Sequence, residues 1–184
     1  MKRTVFLDRD GTLNREVGYV RNPAALEVLP GSRAALQRLH DAGYRIVVVT
    51  NQAGIARGLY GQHDLAAIHA RLQAEVGGLV DAFLHCPHHP EGGHGYGHGC
   101  ACRKPGAGLL LQARELLGCE WPGSAIVGDS ARDLLMAREL PLQKVLVHSG
   151  KPVEGERELL RAANLAPDHE AADLTAAVDW LLRR

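Results

Sequence analysis

A doubly wound, mostly parallel α/β sheet between helices is the fold class this sequence predicts, on three observations. Short Val/Ile-rich runs alternate along the chain with longer segments of helical character, the order expected of βαβ units. Those runs are apolar throughout, as strands covered on both faces are. With 184 residues, no internal repeat and no linker, the chain reads as one domain over 1–184. That length suffices to bury about 70% of the surface that an unfolded chain exposes.

The elements follow in order. "TVFLD" (4–8) is the first strand, and "GSRAALQRLHDAG" (31–43) the first helix. This helix starts after Pro30, stops at Gly43 and carries a rough apolar face of Ala34, Leu36 and Leu39. "YRIVVVTN" (44–51) is a strand, "QHDLAAIHARLQAEVGG" (62–78) a helix and "DAFLHC" (81–86) a strand. "GAGLLLQARELLG" (106–118) then reads as helix and "SAIVGD" (124–129) as strand. "SARDLLMAREL" (130–140) is helical, "KVLVHS" (144–149) is a strand, and "EAADLTAAVDWLLRR" (170–184) closes the chain as a helix.

Aromatic residues make up only 4% of the chain, so its core must rest on Ala, Val, Leu and Ile. Lys plus Arg equals Asp plus Glu at 21 each, which leaves no global field to recruit nucleic acid or an anionic membrane. Any anion must therefore be held by local groups. In "MKRTVFLDRDGT" the uncharged stretch ahead of Asp8 is too short for an export signal, and no run is long and apolar enough to span a membrane. The expected location is the cytoplasm, where thiols stay reduced and clustered cysteines serve metals more often than disulfides. Cys119 stands apart and reads as a small buried hydrophobe.

In such sheets ligands bind beyond the carboxyl ends of the strands. Asp8, Thr50–Asn51, Cys86 and Asp129 stand at those ends. "DRDGT" sets Asp8 and Asp10 on the same side of an extended segment, and two carboxylates so close repel unless a cation intervenes. Asp129 offers a third. A few hard oxygen ligands with room for water and phosphate suit Mg²⁺. Single aspartates often merely cap turns and helices; three of them at strand ends favour the metal.

These residues resemble the motifs of the haloacid dehalogenase-like phosphohydrolases. "DRDGT" is similar to the first motif, "VVVTN" to the second, Lys104 of "CRKP" to the third and "VGDSARD" to the acidic fourth, in the right order over positions 4 to about 150. Within that superfamily, "DRDGTLN", "GYV", "TNQAGIARG", the Cys/His loop and "CRKP" resemble the bacterial D-glycero-D-manno-heptose-1,7-bisphosphate 7-phosphatases. These are small, capless enzymes of lipopolysaccharide or surface-glycan heptose synthesis.

The resemblance implies a capless, Rossmann-like haloacid dehalogenase fold and a Mg²⁺-dependent phosphatase. Asp8 would be the nucleophile and Asp10 the general acid and base, with Thr50 and Lys104 binding the transferring phosphoryl oxygens. Mg²⁺ would sit on the Asp8 carboxylate, the Asp10 carbonyl and Asp129. Glu16, Val17, Gly18, Tyr19, Asn51, Gln52 and Arg103 would line the sugar or its distal phosphate, where the planar fork of Arg103 suits two oxygens. Arg57 either joins them or stays solvated at the surface. Asp133 either orders the Asp129 loop or simply favours its helix N-terminus. Where close relatives often carry a Lys after the fourth-motif Asp, this chain has Ser130, which bears on anomer preference.

"CPHHPEGGHGYGHGCACRKP" (86–105) holds three of the four cysteines and four of the ten histidines. Cys86 with His88 and Cys100 with Cys102 form two pairs that can fold back into a closed Cys₃His zinc tetrahedron. His89 rivals His88, and the resemblance, which includes a structural Zn²⁺ in this loop, favours His88. His94 and His98 read as exposed loop residues, with a second metal site as the alternative, and the Gly/His tract as a tolerated bridge. A zinc clip over 86–102 would order a segment too poor in apolar residues to order itself, and would fix Arg103 and Lys104.

The expected substrate is a small phosphorylated sugar, and the expected assembly a monomer. Histidinol-phosphate phosphatases share "DRDGT", "TNQ" and "CRKP" but typically differ at "GYV" and "GIARG". A broader sugar-phosphate phosphatase, or a zinc-organised binding module on an inactive fold, is the remaining alternative.

Overall fold

The computed structural model describes residues 2–183. Six strands form one parallel sheet: β1 (Lys2–Leu7), β2 (Arg45–Asn51), β3 (Ala82–Cys86), β4 (Cys119–Gly128), β5 (Gln143–Val147) and β6 (His169–Ala171). Their spatial order is β3-β2-β1-β4-β5-β6, so the chain reverses its direction of winding between β1 and β4. At such a reversal the connections leave toward opposite faces and open a crevice beyond the strand ends. The helices are α1 (Ser32–Asp41), α2 (Gln62–Glu75), α3 (Gly108–Leu117), α4 (Ala131–Leu135), α5 (Val153–Ala162) and α6 (Leu174–Leu182). Among the described residues no helix is long and apolar enough to cross a membrane.

The period of two along each strand divides the core. Val5, Leu7, Ile46, Val48, Ala125 and Val127 face a cluster completed by Leu36 and Leu39 of α1, Ile68 and Leu72 of α2, and Val178 and Leu181 of α6. Phe6, Val47, Val49 and Ile126 face the other way, onto Leu109, Leu110 and Ala113 of α3. Cys119 is fully buried in that second cluster, and its thiol donates to the Ala113 carbonyl.

The structure departs from the predicted elements in four places. β4 begins five residues before the predicted strand, because Pro122 and Gly123 are absorbed by a register shift against β1. Ser124 Oγ accepts from the Thr4 amide at 2.8 Å there. The helix predicted over 130–140 keeps only α4, then tightens into successive turns bonded to the third residue back, which bury Met136 and Ala137 ahead of Pro141. The closing helix begins only at Leu174, since Asp173 caps it by accepting from the Ala176 amide at 2.9 Å. The residues before that cap pair with β5 as β6, and Arg184 lies outside the described residues. α5 had no counterpart in the sequence reading, although Glu154 and Glu156 mark its first turn.

Candidate active site

Asp8 follows directly on β1, anchored by its amide to the Val127 carbonyl of β4 at 3.0 Å. The chain then turns tightly: Leu13 and Asn14 both donate to the Arg9 carbonyl, and the Gly11 amide donates to Asn14. Gly11 has φ +84°, and a Cβ there would stand 2.3 Å from Asp129 Oδ2. Only glycine lets the turn carrying Asp8 and Asp10 approach the acidic end of β4 so closely.

Lys104 joins these carboxylates. Its ammonium is buried and donates to Asp8 Oδ1 at 2.7 Å, Asp133 Oδ1 at 2.5 Å and the Val49 carbonyl at 2.9 Å. Asn51, at the end of β2, accepts from the Lys104 amide at 3.0 Å and donates to its carbonyl at 3.3 Å, which fixes the backbone behind that ammonium. Asp133 also accepts from the Ser130 amide at 3.0 Å as half of a capping box, so it stands in the first turn of α4 and orders the Asp129 loop as well.

The carboxylate oxygens of Asp8, Asp129 and Asp133 lie within 4.8 Å of one another. Three buried carboxylates against one ammonium leave this cluster short of about two positive charges, which is the charge of Mg²⁺. The electrostatics report that shortfall. Burial, then repulsion from neighbouring aspartates, pushes Asp8 up to about 7 despite Lys104. The same causes, burial first and then Asp8 and Asp133, push Asp129 up to about 8. The donor set therefore fits a hard divalent cation.

Asp10 lives differently. Its carboxylate turns away from the cluster onto the buried Arg9, whose Nη2 donates to both its oxygens at 3.0 and 2.9 Å. Burial would raise its pKa, but the Arg9 charge and hydrogen bonds from Asn14, Arg9 and Gln52 bring it below the usual carboxylate value. Gln52 Nε2 donates to Asp10 Oδ2 at 3.1 Å and to Thr50 Oγ1 at 2.8 Å, while its Oε1 accepts from Tyr60 at 2.6 Å. This amide is committed on both sides, its nitrogen to Asp10 and Thr50 and its oxygen to Tyr60.

A cleft of about 280 Å³ opens above these groups. Asp8, Asp10, Thr50, Asn51, Gln52, Arg103 and Lys104 line it, with Glu16, Gly18 and Tyr19 on one wall. Val17 is half exposed and Arg57 is exposed; neither reaches the lining, and the Arg57 guanidinium lies 6.0 Å over the Tyr19 ring. Arg9, Tyr60, Arg132 and Lys151 also line the cleft, and sequence reasoning missed all four. Arg9 was legible as the residue between two aspartates, and Arg132 as the neighbour of Asp133. Tyr60 and Lys151 reach the cleft only through loop folding.

The Cys/His loop starts beside this site. Cys86 pairs in register with Asn51, and its carbonyl accepts from the Gln52 amide at 2.7 Å. Cys86, Cys100 and Cys102 converge with His88: the Sγ–Sγ distances are 3.3 and 2.9 Å, and His88 Nδ1 lies 3.4 Å from the Cys102 sulfur. These separations are far longer than an S–S bond, and three thiols with one imidazole suit tetrahedral zinc. The His88 carbonyl accepts from Arg103 Nη1 at 3.1 Å.

The Gly/His tract is no slack bridge. The Gly93 amide donates to the Ala56 carbonyl at 2.6 Å, the exposed His94 packs on Gly58, and Tyr96 accepts from Gln62. His98, also exposed, sets its ring 4.4 Å from that of His88.

Similar proteins match nearly the whole chain. A HAD-hydrolase-like family model matches residues 101–177. The D-glycero-beta-D-manno-heptose-1,7-bisphosphate 7-phosphatase of Pseudomonas aeruginosa is 41% identical, over 97% of each chain. The D-glycero-D-manno-heptose-1,7-bisphosphate 7-phosphatase of Thermosynechococcus vestitus is 40% identical, over 96% of this chain and 94% of its own. The chain belongs to the D-glycero-D-manno-heptose-1,7-bisphosphate 7-phosphatase family. A solved D,D-heptose 1,7-bisphosphate phosphatase of B. bronchiseptica, complexed with magnesium and phosphate, superimposes with a TM-score of 0.84 at 34% identity, covering 98% of both chains. Within this phosphatase family, the acidic crevice at the β1/β4 switch point is the candidate active site.

Proposed function

We propose that this chain removes the 7-phosphate of D-glycero-D-manno-heptose 1,7-bisphosphate, a step toward nucleotide-activated heptose and lipopolysaccharide precursors. The observation that carries the reading is the Asp8–Lys104–Asp133 cluster beneath a cleft lined by further cations, within a chain 41% identical to phosphatases of that name. Asp8, Asp129 and the Asp10 carbonyl would hold Mg²⁺, which shields charge so that a carboxylate can approach a phosphate.

An Asp8 carboxylate oxygen attacks phosphorus, and the bond from phosphorus to the sugar oxygen breaks. Asp10 gives its proton to that leaving oxygen, then takes one from the water that hydrolyses the aspartyl-phosphate. The arriving phosphate dianion adds negative charge beside Asp10 and so favours its protonated form. Lys104 neutralises the phosphoryl oxygens. Thr50 already accepts from Gln52, which leaves its own hydroxyl hydrogen to donate to them.

Arg103, Arg132 and Lys151 supply positive charge for the distal phosphate, and Glu16, Gly18, Tyr19 and Asn51 border the sugar. Cys86, His88, Cys100 and Cys102 would hold a structural Zn²⁺ that keeps Arg103 at the cleft, consistent with work in the reducing cytoplasm.

The test measures Mg²⁺-dependent phosphate release from both anomers of heptose 1,7-bisphosphate and from histidinol phosphate. Release of one phosphate from a heptose anomer, fastest among the three and abolished in a folded Asp8→Asn variant, is the expected result. Faster turnover of histidinol phosphate would overturn it.

A further inference from the structure

Asp10 is held by more groups than its charge requires. Its Oδ1 accepts from Arg9 Nε at 3.3 Å, Arg9 Nη2 at 3.0 Å and Asn14 Nδ2 at 2.9 Å. Its Oδ2 accepts from Arg9 Nη2 at 2.9 Å and Gln52 Nε2 at 3.1 Å. The Arg9 side chain is only 1% exposed, and a side chain of that length and charge is rarely buried unless paired. Each of the two principal holders is itself held from behind. Arg9 Nη1 stands 3.4 Å from His69 Nε2, and the His69 ring stacks on Phe83 with centroids 4.6 Å apart. Gln52 Oε1 accepts the hydroxyl of the buried Tyr60.

These supports come from different parts of the chain. His69 lies on α2 and Phe83 on β3, and Tyr60 leads into α2. A carboxyl group rotates readily about its last bond, and a planar guanidinium fork on one edge with an amide on the other removes that freedom.

We propose that Arg9 and Gln52, braced by His69 and Tyr60, are positioning residues that aim the Asp10 carboxyl group at the oxygen leaving phosphorus. The inference rests on the reading of Asp10 as the general acid. A proton donor must be oriented toward the atom it serves, so misaiming it costs rate only where the leaving group needs a proton. An alkoxide of a sugar needs one. The phenolate released from p-nitrophenyl phosphate does not.

The experiment compares kcat/KM, which reports on the bond-breaking half, across p-nitrophenyl phosphate, phenyl phosphate and heptose 1,7-bisphosphate. The variants are Asp10→Asn, Arg9→Met, Arg9→Lys, Tyr60→Phe and His69→Gln. Asp10→Asn should lose most on the sugar ester and least on p-nitrophenyl phosphate. Arg9→Met should follow the same slope, losing on the order of 10- to 100-fold on the sugar ester and under about 3-fold on p-nitrophenyl phosphate. Arg9→Lys should recover part of that loss. Tyr60→Phe and His69→Gln remove only a brace, and should lose about 3- to 10-fold on the sugar ester alone.

Equal losses on all three esters for every frame variant, with a steep slope for Asp10→Asn, would overturn the positioning role while leaving the acid in place. A flat profile for Asp10→Asn itself would instead remove the acid assignment on which the inference rests. Tyr60→Phe deletes one hydroxyl, so it decides the question even if Arg9→Met does not fold.

Discussion

Asp8 and Asp10 are two residues apart, yet the fold gives their carboxylates opposite surroundings. Asp8 is buried among other aspartates and rises to about 7, whereas Asp10 meets Arg9, Asn14 and Gln52 and stays below the ordinary value. "DRDGT" announced two carboxylates on one side of the chain, but it did not show that Arg9 turns inward beneath the second. That depends on α2 bringing His69 to the buried guanidinium. His69 records the consequence, because burial first and the Arg9 charge second depress its pKa to about 3. A folded histidine that resists protonation contributes stability that is fully present above its unfolded pKa of about 6.5. That contribution is lost as pH falls from there toward 3. His69→Gln should therefore flatten the pH dependence of stability, narrowing the loss between pH 7 and 5 by up to about 2 kcal/mol. Urea unfolding of both proteins across that range measures it.

At the scale of elements, the Cys/His loop and segment 53–61 behave as one unit. Gly92 is where they meet: a Cβ there would stand 2.5 Å from the Ala56 Cβ, so the loop backbone lies directly on its neighbour. From that neighbour Tyr60 reaches Gln52, and from the other end of the loop Arg103 reaches the cleft. Chelating the zinc proposed for Cys86, His88, Cys100 and Cys102 should accordingly loosen both segments together. Hydrogen exchange should show protection falling over 53–61 and 86–104 while β1, β2 and β4 keep theirs. Loss confined to 86–102 would separate the two segments. The convergence of the two Cys/His pairs was legible from their spacing and the resemblance; the docking was not, because glycines carry no pattern that points to a partner. α5 and β6 escaped for a related reason. α5 has one fully buried side chain, Leu160, and β6 is three residues long, so neither presents a clear period.

The whole molecule gathers charge at one end of its sheet. Asp8 after β1, Lys104 after the Cys/His loop, and Asp129 and Asp133 after β4 meet at the switch point although they span most of the chain. Binding Mg²⁺ there requires Asp8 and Asp129 to be ionised, and burial with mutual repulsion holds them up to about 7 and about 8. Mg²⁺ affinity should thus fall as pH drops below about 7, with proton release on binding near neutrality. Titration calorimetry in buffers of different ionisation heat should find that release. Affinity unchanged between pH 8 and 6 would contradict the shared cluster.

By itself the sequence determined the fold class, the central strands, the four phosphatase motifs and the two Cys/His pairs that the fold brings together. Each of these is written in local order: apolar runs of fixed length, carboxylates two residues apart, cysteines and histidine one residue from their partners. Only the tertiary structure decided that Gln52 serves Asp10, that Arg9 is buried, that Asp133 shares Lys104 with Asp8, and that Val17 and Arg57 stay outside the cleft. These depend on side chains from distant segments competing for the same few hydrogen bonds, and that competition takes place only once the strands have been laid side by side.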